Sequence, residues 1–267
     1  MLITTLLLAL SILPVIVLMV YIYRQDKYQK EPIKTLSKAF FGGMLAIPLD
    51  LLLVSLVNAL WTSNTVFYSA FCEAGIPEEL SKFIIFMALI WRDKNFDEYF
   101  DGIVYATFIG LGFACIENVM YVFGAASESL GSGFGTGVVR GILSVPGHFL
   151  FGVVMGYFLS LAKFKKGKRF GYLISGLLSA MLAHGLFDWM LMVASVVPLV
   201  GGIIYIVFLW ADIRLWKLGL RYINRQQENS RKQAQASTFG HGSVFRHHDT
   251  DFDPEYKRID WNAGDRH

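Results

Sequence analysis

The sequence predicts an all-α protein, a polytopic membrane helical bundle of about seven transmembrane helices with its N-terminus outside and its C-terminus cytoplasmic. Three observations carry that expectation. The 267 residues are 54% apolar and only 17% charged, and the apolar residues run in long blocks. Crossing a hydrocarbon core of about 30 Å takes about 20 mainly apolar helical residues, and several blocks are that long. Lys and Arg gather in alternate connections between the blocks, the pattern that retention of basic residues on the cytoplasmic side produces.

Spans are expected at residues 2–23, 36–60, 67–91, 101–123, 140–162, 170–193 and 197–216. The first has no basic segment before it, an apolar run longer than a signal peptide uses and no A-x-A cleavage pattern, so it reads as a retained helix. The connection after it carries Arg24, Lys27, Lys30, Lys34 and Lys38, and the one after the fifth span carries Lys163, Lys165, Lys166, Lys168 and Arg169. The connections at 61–66, 124–139 and 194–196 hold no Lys or Arg, which sets the orientation. Residues 124–137, rich in Gly and Ser, read as a mobile segment near a substrate entrance or as an ordinary linker. Two units follow: residues 1–222, a transmembrane domain, and residues 223–267, a polar, disordered cytoplasmic tail. In that tail His241, His247 and His248 precede Asp249, Asp251 and Asp253, but Pro254 stands where a calcium loop needs Gly.

Several function classes are excluded. The net charge of +3 is small and its basic clusters sit beside apolar blocks, so no nucleic-acid partner is implied. Cys72 and Cys115 fall inside spans without CxxC spacing and read as buried free thiols.

Ionisable side chains inside a span cost about 2.5–3.5 kcal/mol each on insertion scales and mark function by default. Here they are Asp50, Glu73, Glu78, Glu79, Lys82, Glu117, His148, His184 and Asp188. In the third span Pro77 loosens the helix just before Glu78 and Glu79, and Lys82 lies one turn beyond Glu78. The fourth brings Glu117 and Asn118 after the small residues Gly110 and Gly112, which allow close helix approach. The fifth brings His148 after Pro146 and Gly147. In the sixth, His184 and Asp188 share a face at i, i+4 spacing.

Depth supports one common layer. At a rise of about 1.5 Å per residue, Glu117 lies roughly 24 Å and His184 roughly 21 Å from the cytoplasmic ends of their spans, while His148 and Glu78 lie roughly 12 and 16 Å below the outer face. One Glu and two His at a common depth are a reasonable shell for a divalent metal, zinc above all, with a remaining carboxylate to activate water. A metal-free hydrolase, in which Glu activates water and His or Asn118 stabilises the oxyanion, fits the same spacing. No HExxH is present. An ion-coupled transporter using an Asp/Glu/His relay is the rival from another class, although no repeat relates the halves. Helix-to-helix hydrogen bonding is the expected role of Asp50 and Glu73.

At these residues the sequence resembles the PrsW family of intramembrane proteases, distant relatives of the CAAX prenyl endopeptidases. The resemblance covers roughly residues 1–220. Glu78-Glu79-Leu80-Ser81-Lys82 resembles its EExxK element, Phe113 to Glu117 its FxxxE element, His148 its third motif and His184 to Asp188 its HxxxD element; Asp101-Gly102-Ile103-Val104-Tyr105 is also family-like. The resemblance implies proteolysis of a single-span, anti-sigma-factor-like substrate near the outer half of a bacterial plasma membrane. On this reading Glu78 or Glu79 is the catalytic base, Glu117, His148 and His184 hold the metal, and Lys82, Asn118 and Asp188 support them. In the CAAX relatives the FxxxE position is usually His, so Glu117 is a departure.

Overall fold

The computed structural model describes residues 2–165 and 167–240, and the described residues form helices joined by short connections, with no strand among them. Helix α1 spans Leu2–Gln25 and α2 Ile33–Leu60. The short α3, Val66–Tyr68, opens into a π-helical stretch, Ser69–Gly75, that continues directly into α4, Ile76–Leu89. Then come α5 (Asp101–Glu128), α6 (Leu130–Ile142), α7 (Ser144–Phe164), α8 (Arg169–Val196) and α9 (Pro198–Gly240).

Five helical segments are long and apolar enough to cross a membrane: Leu2–Gln25, Ile33–Leu60, Asp101–Glu128, Leu130–Phe164 and Arg169–Val196. The expected third span falls on the interrupted α3-π-α4 helix and the expected seventh on the first half of α9. Large apolar side chains face outward around the bundle, among them Leu13, Phe41, Leu51, Leu56, Leu178 and Leu182. Water penalises such a surface and lipid does not.

Helix α5 is the hub: it packs against α1, α2, α4, α6 and α7, and is buried continuously from Asp101 to Cys115. Glycines make those approaches possible. A Cβ on Gly156 would meet the Gly102 carbonyl oxygen at 2.3 Å, and one on Gly112 would meet the Phe40 carbonyl oxygen at 2.0 Å. Backbone cannot swing aside as a side chain can, so Gly156→Ala separates α7 from α5 and is expected to destabilise by about 1–3 kcal/mol. Unfolding of purified protein in a denaturing-detergent titration checks this; an unshifted midpoint would mean that the helices are not in tight contact.

Two expectations are corrected. The 124–139 connection is not a loop: α5 runs to Glu128, Ser129 turns the chain, and α6 begins at once. The Ser129 hydroxyl accepts from the Ser132 amide at 3.0 Å as an N-cap. The absent side chain of Gly133 lets α6 lie on Ala126, and that of Gly137 lets it lie on Leu10. Small residues here serve helix packing rather than freedom of the chain. The polar stretch after residue 222 also continues as helix to Gly240. Two of its polar side chains are taken up by the bundle: Gln226 donates to the Tyr157 carbonyl at 3.0 Å, and the Ser230 hydroxyl accepts from the Phe100 amide at 3.0 Å. The histidines and aspartates from His241 onward lie outside the described residues.

The basic connections meet at one end of the bundle. Lys38 pairs with Asp93, Lys163 donates to the Trp91 carbonyl at 2.6 Å, and Gln227 of α9 donates to the Gln25 carbonyl at 2.6 Å.

Candidate active site

Pro77 has no N–H to give to the preceding turn, and the helix widens to π geometry just before it. Glu78 and Glu79 therefore enter α4 in its first turn and point inward, 7% and 1% exposed. Although successive residues diverge by about 100° around a helix, one ammonium gathers both carboxylates. Lys82 Nζ lies 3.1 Å from Glu78 Oε2 and 2.8 Å from Glu79 Oε1. The same Nζ lies 3.0 Å from His148 Nδ1 and sits over the Phe113 ring, 4.1 Å from its centroid. Lys82 is thus more than the partner of Glu78; it stands among three of the acceptors.

The two histidines arrive from α7 and α8, with ring centroids 5.1 Å apart, and the His184 ring stacks on Phe151. Each turns Nδ1 toward the carboxylates and gives Nε2 to an outer acid. His184 Nδ1 lies 3.0 Å from Glu79 Oε1 and 3.8 Å from Glu78 Oε2, and its Nε2 lies 3.3 Å from Asp188. His148 Nδ1 lies 4.0 Å from Glu78 Oε2, and its Nε2 lies 2.8 Å from Glu117 Oε2. An ammonium has only donors, so His148 Nδ1 accepts from Lys82 and Nε2–H donates to Glu117.

The structure thus brings together Glu78, Glu79, His148 and His184, one ligand atom from each lying within 4.8 Å of the others. Glu117 does not join them. It is on the far ring nitrogen of His148 and is ion-paired at 2.8 Å with Arg140, so it faces the outer side of the imidazole rather than the Glu78 and Glu79 carboxylates. Asn118 is also turned away. Its amide donates to the Ser11 carbonyl at 2.8 Å and its oxygen accepts from Arg140 Nε at 2.9 Å, so it ties α1 to α5 and α6 and offers nothing to an oxyanion. Asp188 stands where the i, i+4 spacing puts it. Glu73 makes the expected helix-to-helix bond, accepting from Asn58 at 3.2 Å, while Asp50 Oδ1 is buried without a partner.

Sequence reasoning misses Arg140. It is the first residue of an expected span and so reads as a boundary, yet an Arg followed by a long apolar run is itself a signal for an intramembrane acid.

Two carboxylates and two imidazole nitrogens facing one another, with each outer ring nitrogen held by a carboxylate, are a donor set suited to zinc or a similar divalent ion. The residues present fit a metal in donor type, although the Lys82 ammonium stands against Glu78, Glu79 and His148 Nδ1 and has to withdraw for an ion to enter. Fold and centre together define a polytopic membrane protein with a buried Glu/His cluster. The sequence profile of the PrsW family of intramembrane metalloproteases matches residues 31–213, and the chain belongs to that family. Relatives named Protease PrsW include that of Clostridioides difficile (strain 630), 34% identical over 84% of this chain and 92% of the relative. The Protease PrsW of Geobacillus kaustophilus (strain HTA426) is 31% identical over 82% and 95%, and that of Bacillus subtilis (strain 168) 32% over 75% and 88%. No solved structure matches the chain at a significant level. The protein is a membrane-embedded protease acting on a membrane-protein substrate within the bilayer.

Proposed function

We propose that Glu79, His148 and His184 hold a zinc ion and that Glu78 is the general base of an intramembrane endopeptidase. The observation that carries this is the paired orientation of the histidines, each with Nδ1 inward beside Glu78 and Glu79 and Nε2 on an acid. Three protein ligands with a position left for water are the pattern of catalytic zinc. Glu79 is the more confined carboxylate, hydrogen-bonded to both Lys82 and His184, which suits a ligand; Glu78 is hydrogen-bonded to Lys82 alone, has both histidines at 3.8–4.0 Å and is slightly more exposed, which suits a base. When bound, such an ion supplies Lewis acidity at neutral pH. Glu78 takes the proton of the attacking water and returns it to the departing amine. Glu117 and Asp188 fix the ring orientation of His148 and His184, and Arg140 holds Glu117 in place. Residues 1–222 carry every one of these side chains.

Seven crossings, with α3-π-α4 and the first half of α9 as the third and seventh, support an N-out, C-in topology, because the basic connections share one end of the bundle. Counted at about 1.5 Å per residue, Glu117, His148 and His184 lie roughly 22–24 Å from that end. This depth favours cleavage in the outer half of a bacterial plasma membrane and a single-span substrate resembling an anti-sigma factor. A second reading is favoured by the position of Lys82: an ammonium among the donors can polarise a carbonyl, giving a metal-free Glu hydrolase.

Metal content of detergent-purified protein, measured by mass spectrometry, separates the two. Near-stoichiometric zinc is expected in the wild type and a loss of most of it in His184→Ala. Glu117→Ala is expected to weaken metal binding by about 10–100-fold without abolishing it, since it acts through His148. A folded, substrate-cleaving wild type without metal sinks the zinc reading.

A further inference from the structure

A second acidic group sits at the basic end of the bundle, on residues the proteolytic centre does not use. Asp26 follows α1, Glu31 precedes α2, Asp97 and Glu98 lie in the connection after α4, and Asp101 opens α5. One carboxylate oxygen from each of Glu31, Asp97 and Asp101 lies within 4.8 Å of the others. Glu31 is 2% exposed and Asp101 0%, whereas Asp97 is exposed and offers a route from solvent.

The hydrogen bonding leaves one side of this group free. Asp101 Oδ2 accepts from the amides of Asp97 and Glu98 at 2.9 and 2.7 Å, while its Oδ1 is buried without a partner. Asp26 Oδ2 accepts from the Glu31 amide at 3.1 Å, while its Oδ1 is likewise free. Gln29 donates to both oxygens of Asp97 at 3.0 and 3.1 Å. Both oxygens of the Glu31 carboxylate are buried without an N–H or hydroxyl donor, and their one near polar neighbour is another acid, Asp101. Backbone amides thus fix the outer oxygens, and the inner ones face each other with no hydrogen-bond donor among the described residues. Buried acids in that state need protons or a cation.

We propose that Glu31, Asp97 and Asp101, with Asp26 beside them, bind a hard divalent cation, calcium or magnesium. Oxygens on one calcium ion at 2.3–2.6 Å lie at most about 5.2 Å apart, a limit the present spacing already meets. An all-oxygen set favours such ions over zinc, in contrast to the Glu/His centre. The ion ties the α1–α2 connection to the start of α5. Helix α9 closes over the same place: Gln233 donates to the Asp97 carbonyl at 2.7 Å and Ser230 holds the Phe100 amide.

Manganese, an electron-spin-resonance probe for magnesium and calcium sites, tests this in full-length protein stripped with chelator. The Glu79→Gln background removes the contribution of the intramembrane centre. About one manganese per chain is expected, displaced by magnesium or calcium and weakened by about tenfold or more in Glu31→Gln and in Asp97→Asn. Asp97 is exposed, so its variant keeps the test valid if Glu31→Gln fails to fold. Millimolar calcium or magnesium should raise the unfolding temperature of the parent and not of the variants. The proposal is overturned by folded protein that binds no manganese, by binding that both variants leave unchanged, or by a protein stabilised through acidification and indifferent to all three cations.

Discussion

Glu78→Gln should fold, keep its metal and lose cleavage. A positioned general base contributes about 10²–10⁴-fold to rate, and the amide keeps the shape of the carboxylate while removing its basicity. Glu79→Gln should lose both metal and cleavage, because Glu79 is the carboxylate in contact with His184 and Lys82. Single-turnover cleavage of a membrane-protein substrate in proteoliposomes, paired with metal analysis of each variant, checks the assignment. A Glu79→Gln protein that retains metal while Glu78→Gln loses it would exchange the two roles.

Lys82→Met should have the largest effect on stability. Its ammonium is 4% exposed and lies within 3.1 Å of two buried carboxylates. Removing one member of a buried ionic group leaves uncompensated charge and costs about 3–5 kcal/mol. The loss should be greatest in metal-free protein and partly recovered when a divalent cation is added, because that cation neutralises the same carboxylates. Thermal unfolding with and without zinc measures it; a metal-free variant as stable as the metal-free wild type would show that Glu78 and Glu79 are neutral without Lys82.

Much of the centre is legible in the sequence because ionisable groups stand out in apolar helices. Glu78, Glu79, Lys82, His148, His184 and Asp188 all announce themselves in this way, and i, i+4 spacing orients His184 on Asp188. The roles of Glu117 and Asn118 are not legible. They depend on which imidazole nitrogen faces inward, and that follows from helix rotation, which apolar periodicity leaves loose when a helix such as α5 is buried almost all round. Arg140 hides at a span boundary. Gly and Ser between residues 124 and 139 have a composition common to linkers and to tightly packed helices, and only the presence of a neighbouring helix decides between them. The polar run of α9 is similar: Gln226 and Ser230 look solvated until Tyr157 and Phe100 supply their partners.

The spacing of Lys82 from Glu78 and Glu79 also bears on how the protein is made. A segment leaving the translocation machinery carries its charges before its neighbours exist, and α5, α7 and α8 all follow α4 in the chain. Each bare charge costs about 2.5–3.5 kcal/mol at the middle of an inserting helix. Because the ammonium reaches both carboxylates within a single turn, α4 brings much of its own neutralisation into the lipid. His148 and His184 then join a group left with a single net negative charge, so the order of synthesis and the order of assembly are compatible.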